Sequence, residues 1–146
     1  VRSVVDDFNN IYEAKRGIKI ILNDLNNQEE YIINGIENRI EQIIANLLDN
    51  SISFSEDNRK ILVEISKSEI ENVILRVVDE GKGFKEKNTK KIFDRFYSNR
   101  PDNFGEHSGL GLNIVKNLVD LHGATIYASN NITQKGANVE IVFPKS

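Results

Sequence analysis

Apolar residues recur at helical spacing in three stretches of the chain. In residues 1–15 they return at every third or fourth position until Gly17 ends the pattern. Residues 39–54 keep the same period over a longer stretch, and a third stretch runs from residue 112 to residue 122. We therefore predict a lead-in helix, a long core helix, and a third helix that begins at Ser108 as N-cap and stops at Gly123.

Short β-branched and aromatic runs lie between these helices and predict strands. Residues 18–22 and 31–33 flank a turn rich in Asn and Asp, and we expect them to be two neighbouring strands. Two hairpins follow, one from residues 61–65 and 73–78 and one from residues 124–128 and 137–143. Repeated hairpins predict an α+β two-layer sandwich, with a mixed, mostly antiparallel sheet and helices on one face.

Composition restricts the class of protein. The 146 residues include no Cys, which excludes disulfides and zinc-thiolate sites, and this length fits one domain. The net charge of −3 comes from scattered residues, so no basic field points to nucleic acid or an anionic membrane. No apolar run reaches the roughly 18 to 20 residues of a membrane span. Because the sequence has no Met and starts at Val1, we expect a soluble fragment of a longer protein.

Asn46 and Asn50 form the first cluster with chemical potential. They are four residues apart in the long helix and so share one face at the edge of its apolar stripe. A carboxamide oxygen can bind Mg²⁺ without adding charge that repels a triphosphate. In a chain rich in Asn, the same pair can also be an ordinary solvated edge.

The second cluster, residues 79–84, directly follows a strand. The Asp79 carboxylate can accept a hydrogen bond from an exocyclic amine, while Gly81 and Gly83 allow backbone to approach a flat ring. The same Asp-x-Gly-x-Gly spacing also occurs in ordinary turns.

Residues 105–112 form a glycine-rich segment that leads into the third helix. Exposed N–H groups and the positive end of a helix dipole at such a place can hold phosphate, although the segment lacks the Gly-Lys-Ser/Thr of a P-loop. A flexible helix cap is the alternative. Between the last two clusters lie Phe93, Phe96 and Tyr97, which are typical of a small core that anchors a lid.

Together and in this order, the four clusters resemble the ATP-binding boxes of the family that joins DNA gyrase, a major heat-shock chaperone, bacterial sensor histidine kinases and MutL. Residues 46–50 resemble its N box, residues 79–83 its first glycine box, residues 93–96 its F box, and residues 109–112 its second glycine box. The F box points to the catalytic and ATP-binding domain of a histidine kinase, and the resemblance implies the Bergerat-type ATP-binding fold.

The resemblance implies roles for individual residues. Asn50 and Asn46 would hold Mg²⁺ and the phosphates of ATP, Asp79 would accept from the adenine amine, and Phe54 would stack on the ring. Ser53 stands where the family commonly has a phosphate-contacting Lys. Further contacts would come from the second glycine box and the lid: Ser108, Gly109, Leu110, Gly111, Leu112, and Arg100 at the γ-phosphate, with Arg95 as the alternative.

Two absences narrow the implied activity. ATPases of the family carry a Glu where this chain has Asn46, and an amide is no general base, so transfer to a protein group is favoured over hydrolysis. Neither His107 nor His122 is followed by the acidic residue and Pro of the family's acceptor motif. His122 is better explained as a residue that interacts with a helix C-terminus.

The resemblance also implies partners. The acceptor His would lie on a dimerisation domain upstream of residue 1, in a homodimeric parent kinase that pairs with a response regulator, while the fragment itself would be a monomer. The Ser-Phe-Ser at residues 53–55 and the Arg-Pro at residues 100–101 look like membrane-bound kinases of alphaproteobacteria, so we expect a cytoplasmic domain of a kinase anchored in the inner membrane. A nucleotide-sensing module without transfer activity and a gyrase-like ATPase are the alternatives.

Overall fold

Eight helices and strands are described in a computed structural model, which covers residues 1–25, 31–81, 83, 93, 111–130 and 136–145. In chain order they are α1 (Arg2–Arg16), β1 (Lys19–Asp24), α2 (Glu37–Phe54), β2 (Lys60–Lys67), β3 (Val73–Asp79), α3 (Gly111–Leu121), β4 (Thr125–Asn130) and β5 (Ala137–Phe143). The predicted lead-in helix and long core helix are confirmed. The third helix is also confirmed, but its proposed N-cap, Ser108, lies outside the described residues.

The strands form one five-stranded sheet in the order β1-β2-β3-β5-β4. Both predicted hairpins are confirmed, because β2 pairs with β3 and β4 pairs with β5 in antiparallel fashion. β3 also pairs antiparallel with β5, whereas β1 and β2 run parallel. The sheet is therefore mixed and mostly antiparallel, and the α+β class is confirmed.

The prediction of a strand at residues 31–33 is wrong. These residues adopt no regular element, and β1 instead pairs with β2 in a register that aligns Lys19 with Lys60. Tyr31 and Ile33 have alternating, strand-like spacing because both pack against the core from a connecting segment. Their side chains are half-buried without strand pairing, and the sequence pattern alone does not distinguish a strand from such a packed segment.

One hydrophobic core joins one face of the sheet to all three helices. In β3, burial alternates strictly, so Val73, Leu75 and Val77 face the core. Asp79 occupies the next inward position of the same alternation. A carboxylate is thereby placed where the pattern calls for an apolar side chain.

Left-handed backbone ends two of the helices. Gly17 follows α1 with φ of 65°, and a Cβ there would lie 2.1 Å from Asn58 Oδ1. Gly123, the predicted stop of α3, also has φ of 65°. Both positions favour glycine, because L side chains rarely adopt this conformation. Across the described ranges, no helix has the length and apolar character to cross a membrane.

Candidate functional site

Asp79 is the centre of a polar cluster at the C-terminal end of β3. It is only 2% exposed. Its Oδ1 accepts hydrogen bonds from the backbone N–H of Gly81 at 2.9 Å and of Ala137 at 3.1 Å. The Ser51 hydroxyl in α2 also hydrogen-bonds with the carboxyl group. The side chain thus joins β3, the start of β5 and α2.

Burial is the main influence on the protonation of Asp79. It raises the pKa of the carboxyl above its ordinary value, against the lowering effect of the hydrogen bonds from Gly81, Ala137 and Ser51. The nearby charge of Glu80 raises the pKa further, by a smaller amount. Burying a carboxylate costs free energy of folding. A buried carboxylate that the chain holds in one orientation is therefore typical of a functional group.

Gly81 and Gly83 are required by the packing of the chain itself. A Cβ at Gly81 would lie 2.5 Å from the carbonyl oxygen of Phe54, at the end of α2. Gly83 has φ of 80°, and a Cβ there would lie 2.6 Å from Asn130 Oδ1. The approach of backbone to a flat ring stays a prediction, but the close approach of the Gly81 segment to α2 is a property of the fold.

The C-terminal half of α2 carries the predicted metal and phosphate residues. Asn46 is half-buried and Asn50 is 5% exposed, one helical turn apart. Phe54, at the end of the same helix, is half-buried. The structure therefore places Asn50, Phe54 and Asp79 around one end of the sandwich, joined by the contact between Ser51 and Asp79. Their roles toward a ligand remain predictions.

Ser53 has a local structural role. It is 1% exposed, and its hydroxyl donates to the carbonyl oxygen of Asn50 at 2.7 Å. A short, buried side chain turned onto its own helix differs from the long cation usual in the family. The absence of that phosphate contact from this position is consistent with the sequence interpretation.

Sequence analysis missed Ser51 and Arg16. Ser51 continues the inward stripe of Ile44, Leu47 and Leu48 at helical spacing, and this position is the signal that could have identified it. Arg16 lies beside Gly17 at the end of α1, where it suggests a cation for that helix's own dipole. It instead donates to carbonyl oxygens at the end of α2, with 2.9 Å to Ile52 and 2.6 Å to Ser55, the residue that follows the helix.

The start of α3 packs near the single described residue of the predicted F box. Phe93 is buried in the core, and its carbonyl oxygen accepts a hydrogen bond from the Asn113 side chain at 3.1 Å. Leu112 is buried and Gly111 is half-buried. Phe93 is thus anchored by packing in the main core, whereas the lid that it was predicted to anchor lies outside the described residues.

His122 connects α3 to the beginning of α2. Its Nδ1 lies 2.7 Å from the carbonyl oxygen of Leu118, and its Nε2 accepts from the backbone N–H of Ile36 at 3.1 Å. Because Nε2 is an acceptor, Nδ1 carries the proton and donates to Leu118. The contact with a helix C-terminus agrees with the sequence interpretation, and the contact with Ile36 was not foreseen.

Several predicted residues lie outside the described part of the chain. They belong to the lid and the second glycine box: Arg95, Phe96, Tyr97, Arg100, His107, Ser108, Gly109 and Leu110. Within the described ranges, no group of three or more His, Cys, Asp or Glu side chains could hold a metal ion. The carboxamides of Asn46 and Asn50 fit a Mg²⁺ ion that takes its remaining oxygens from phosphates and water.

Comparison with protein families gives a match over most of the chain. The sequence model of the histidine kinase-, DNA gyrase B- and HSP90-like ATPases matches residues 35–146. This range contains α2, β3 and α3, the elements that form the polar cluster and its surroundings.

Two of the curated relatives are sensor proteins of bacteria. The chain is 40% identical to the sensor protein ChvG of Rhizobium meliloti over 108 residues, which are 72% of this chain and 18% of that protein. It is 31% identical to the sensor protein kinase PmrB of Pseudomonas aeruginosa over 119 residues, or 82% of this chain and 25% of that protein. The chain therefore spans a minor part of the relatives it matches.

Solved structures show the same fold at low sequence identity. The catalytic domain of the histidine kinase ThkA superimposes with a TM-score of 0.79 at 23% identity, covering 99% of this chain and 92% of that one. The mycobacterial sensor histidine kinase MprB gives a TM-score of 0.77 at 23% identity, with 98% and 93% covered. The α+β arrangement is thus that of histidine kinase catalytic domains.

Proposed function

Because the chain belongs to the family of histidine kinase-, DNA gyrase B- and HSP90-like ATPases, we propose that it is the catalytic domain of a sensor histidine kinase. In this proposal it binds Mg-ATP and transfers the γ-phosphoryl group to a histidine on the kinase's separate dimerisation domain. The parent kinase would be a homodimer anchored in the bacterial inner membrane and would pass the phosphoryl group to a response regulator.

The buried Asp79 carboxylate is the observation that carries this proposal. Three groups of the chain fix its orientation, and burial strengthens any hydrogen bond that it makes. An amine of adenine is the natural donor to such a fixed acceptor, whereas guanine would present a carbonyl oxygen. The site should therefore prefer adenine nucleotides to guanine nucleotides.

The polar face of α2 would serve the phosphate end of the nucleotide. Asn50 and Asn46 would bind Mg²⁺ through their amide oxygens, and the metal would neutralise charge on the phosphates. Gly111 starts α3, so the N–H groups of its first turn and of the preceding glycine box would receive phosphate oxygens. Arg100 would contact the γ-phosphate, with Arg95 as the alternative.

The residue at position 46 favours transfer over hydrolysis. A positioned base typically contributes about 10² to 10⁴-fold to the reaction that it assists. Asn46 cannot take a proton from water at neutral pH, so hydrolysis should stay near the uncatalysed level. A phosphoryl acceptor on another domain does not need this base, because an imidazole is itself a good nucleophile.

Ser53 favours one second candidate, a nucleotide-sensing module that binds ATP without transfer. Its buried hydroxyl is bonded to Asn50 and replaces the usual cation near the phosphates. Such a module would share the adenine site and lack the transfer step. The two candidates therefore differ in an activity assay and agree in a binding assay.

Calorimetric titration of the chain with a non-hydrolysable ATP analogue tests the binding step. We expect binding that is stronger with Mg²⁺ and at least about tenfold weaker for the GTP analogue, since guanine would present a carbonyl oxygen to Asp79 where adenine presents an amine. The matched variant Asn50→Asp adds a negative charge close to the triphosphate, so nucleotide binding should weaken, and most strongly in the absence of Mg²⁺. Equal affinities for the two bases would contradict the adenine assignment.

A transfer assay in trans tests the reaction itself. The chain alone should form no phosphohistidine, and adding the dimerisation domain of the parent kinase should give slow transfer to a histidine of that domain, because tethering is missing. Acid-labile phosphate on His107 or His122 of the chain alone would contradict this proposal. ATP binding without transfer in the presence of the intact partner domain would favour the sensing module.

A further inference from the structure

The last turn of α2 is stabilised by a side chain from another helix. α2 has no basic residue of its own in this turn, where unpaired carbonyl groups and the negative end of the dipole lie. Arg16 of α1 supplies the cation and donates to Ile52 and Ser55. Its third contact is a 2.7 Å ion pair with Asp57, which is mostly exposed. The Arg16 guanidinium therefore adds a cation at the end of α2, where the backbone N–H of Ser55 also donates to Ile52.

The carbonyls that Arg16 binds lie on either side of Phe54. The Phe54 carbonyl oxygen is itself packed so closely against Gly81 that a Cβ would approach to 2.5 Å. The Gly81 N–H in turn donates to Asp79. A displacement of the last turn of α2 is thus transmitted through backbone atoms to the segment that orients the carboxylate.

α1 is held close to this turn by its own backbone. The carbonyl oxygen of Arg16 accepts from the N–H of Asn58 at 2.9 Å, just beyond the end of α2. Farther along α1, Asn9 makes a different attachment, since its side chain bonds to both the N–H and the carbonyl oxygen of Ile20 in β1. α1 therefore has one attachment at the candidate site and another at the sheet.

From this geometry we infer that Arg16 is a positioning residue for the adenine end of the nucleotide site, through which the placement of α1 sets nucleotide affinity. The inference rests on the proposed function, because it presumes that Asp79 and Phe54 bind adenine. Asn46 and Asn50 lie one to two turns earlier in α2. Loss of Arg16 should therefore weaken the binding of the base and should not depend on the number of phosphates.

The test compares two variants of the 146-residue chain, Arg16→Gln and Asn9→Ala. Both loosen α1, but only the first removes the contacts with α2. We expect Arg16→Gln to weaken binding about three- to tenfold, the range that a well-placed cation at a helix end can supply. The factor should be equal for ADP and an ATP analogue and equal with and without Mg²⁺. Asn9→Ala should change affinity by less than about twofold, because its loss is confined to β1.

A second readout does not depend on nucleotide. Amide hydrogen exchange of residues 52–55 and of Gly81 should be faster in Arg16→Gln than in Asn9→Ala, since local opening follows the loss of local bonds. Arg16→Lys keeps the charge, but its donors all lie on one nitrogen and do not span the acceptors of Asp57, Ile52 and Ser55 as the planar guanidinium does, so it should restore part of the affinity.

The outcomes separate the inference from the proposed function. If the wild-type chain binds no nucleotide, the proposed function fails and the affinity effect of Arg16 fails with it. If the wild type binds and Arg16→Gln binds equally well, only the role of Arg16 is overturned. Equal weakening by Arg16→Gln and Asn9→Ala would also overturn it, because general loosening of α1 would then suffice.

Discussion

The two ends of α2 differ in what they bury. Among the described residues, buried polar and charged side chains are confined to the C-terminal end of α2, the residue after it and the end of β3: Asn50, Ser51, Ser53, Ser55 and Asp79. At the opposite end, an apolar cavity of about 190 Å³ lies against α2, lined among others by Tyr31, Ile40 and Ile44. One end of α2 is thus surrounded by polar, hydrogen-bonded groups, and the other end lies beside an apolar cavity.

The two ends of α2 also differ in the energetic cost of what they bury. Burying a carboxylate beside serines and an amide is expensive unless each group is bonded, and these groups are bonded to backbone and to one another. The cavity end is lined mainly by apolar side chains, whose contribution to stability comes from packing. We therefore expect substitutions at the cavity end to change stability and those at the polar end to change binding.

The largest effect on stability should come from Ile44→Ala. Ile44 is 1% exposed and borders the cavity, so truncation removes buried surface and enlarges a void. The loss should be about 2 to 5 kcal/mol in the free energy of unfolding, measured by urea denaturation. Nucleotide affinity of the folded fraction should stay within about twofold of wild type. A much larger loss of affinity would remove the distinction between the two ends.

The converse effect should come from Asp79→Ala. A charged hydrogen bond to the nucleotide is worth about 1.5 to 3 kcal/mol, so ATP binding should weaken by about 10- to 150-fold in calorimetry. Glu80→Gln is the matched control, because it removes a carboxylate at the next position, where Glu80 accepts from the exposed N–H of Lys60. If both variants bind like wild type, Asp79 is not part of the site.

Asp79→Asn should remove a pH dependence from the stability of the fold. Because burial raises the pKa of Asp79, the folded chain holds this proton at pH values where the unfolded chain has released it. Wild-type stability should therefore fall as pH rises from the ordinary carboxyl pKa toward the raised one, and Asp79→Asn should lack this fall. Unfolding curves across the acidic range measure it. A parallel profile in the variant would contradict the shift.

The smallest effect should come from His122→Ala. The imidazole bonds to Leu118 of α3 and to Ile36 at the start of α2. Asp79 lies near the opposite end of α2, where it contacts Ser51. Loss of these two bonds should lower the free energy of unfolding by about 0.5 to 1.5 kcal/mol, seen in thermal unfolding. ATP affinity should be unchanged. A loss of affinity as large as that of Asp79→Ala would show that the two ends are coupled.

The local pattern of the sequence determined most of the fold. Helical spacing predicted α1 and α2 within a few residues, since an amphipathic stripe has to match the core that it covers. Alternation predicted both hairpins, and the spacing of the polar clusters pointed to the family that the comparison shows. These features are readable because each depends on residues close together in the chain.

Strand pairing and side-chain contacts between residues far apart in the sequence are seen only in the tertiary structure. Only the folded chain shows that β1 pairs with β2 across an intervening helix, that residues 31–33 pack without pairing, and that Arg16 of α1 donates to carbonyl oxygens at the end of α2. Likewise, the sequence identified Asp79, but its orientation comes from Ser51 and Ala137, 28 positions before it and 58 after it. Such contacts are set by how layers pack, and no local period in the sequence encodes them.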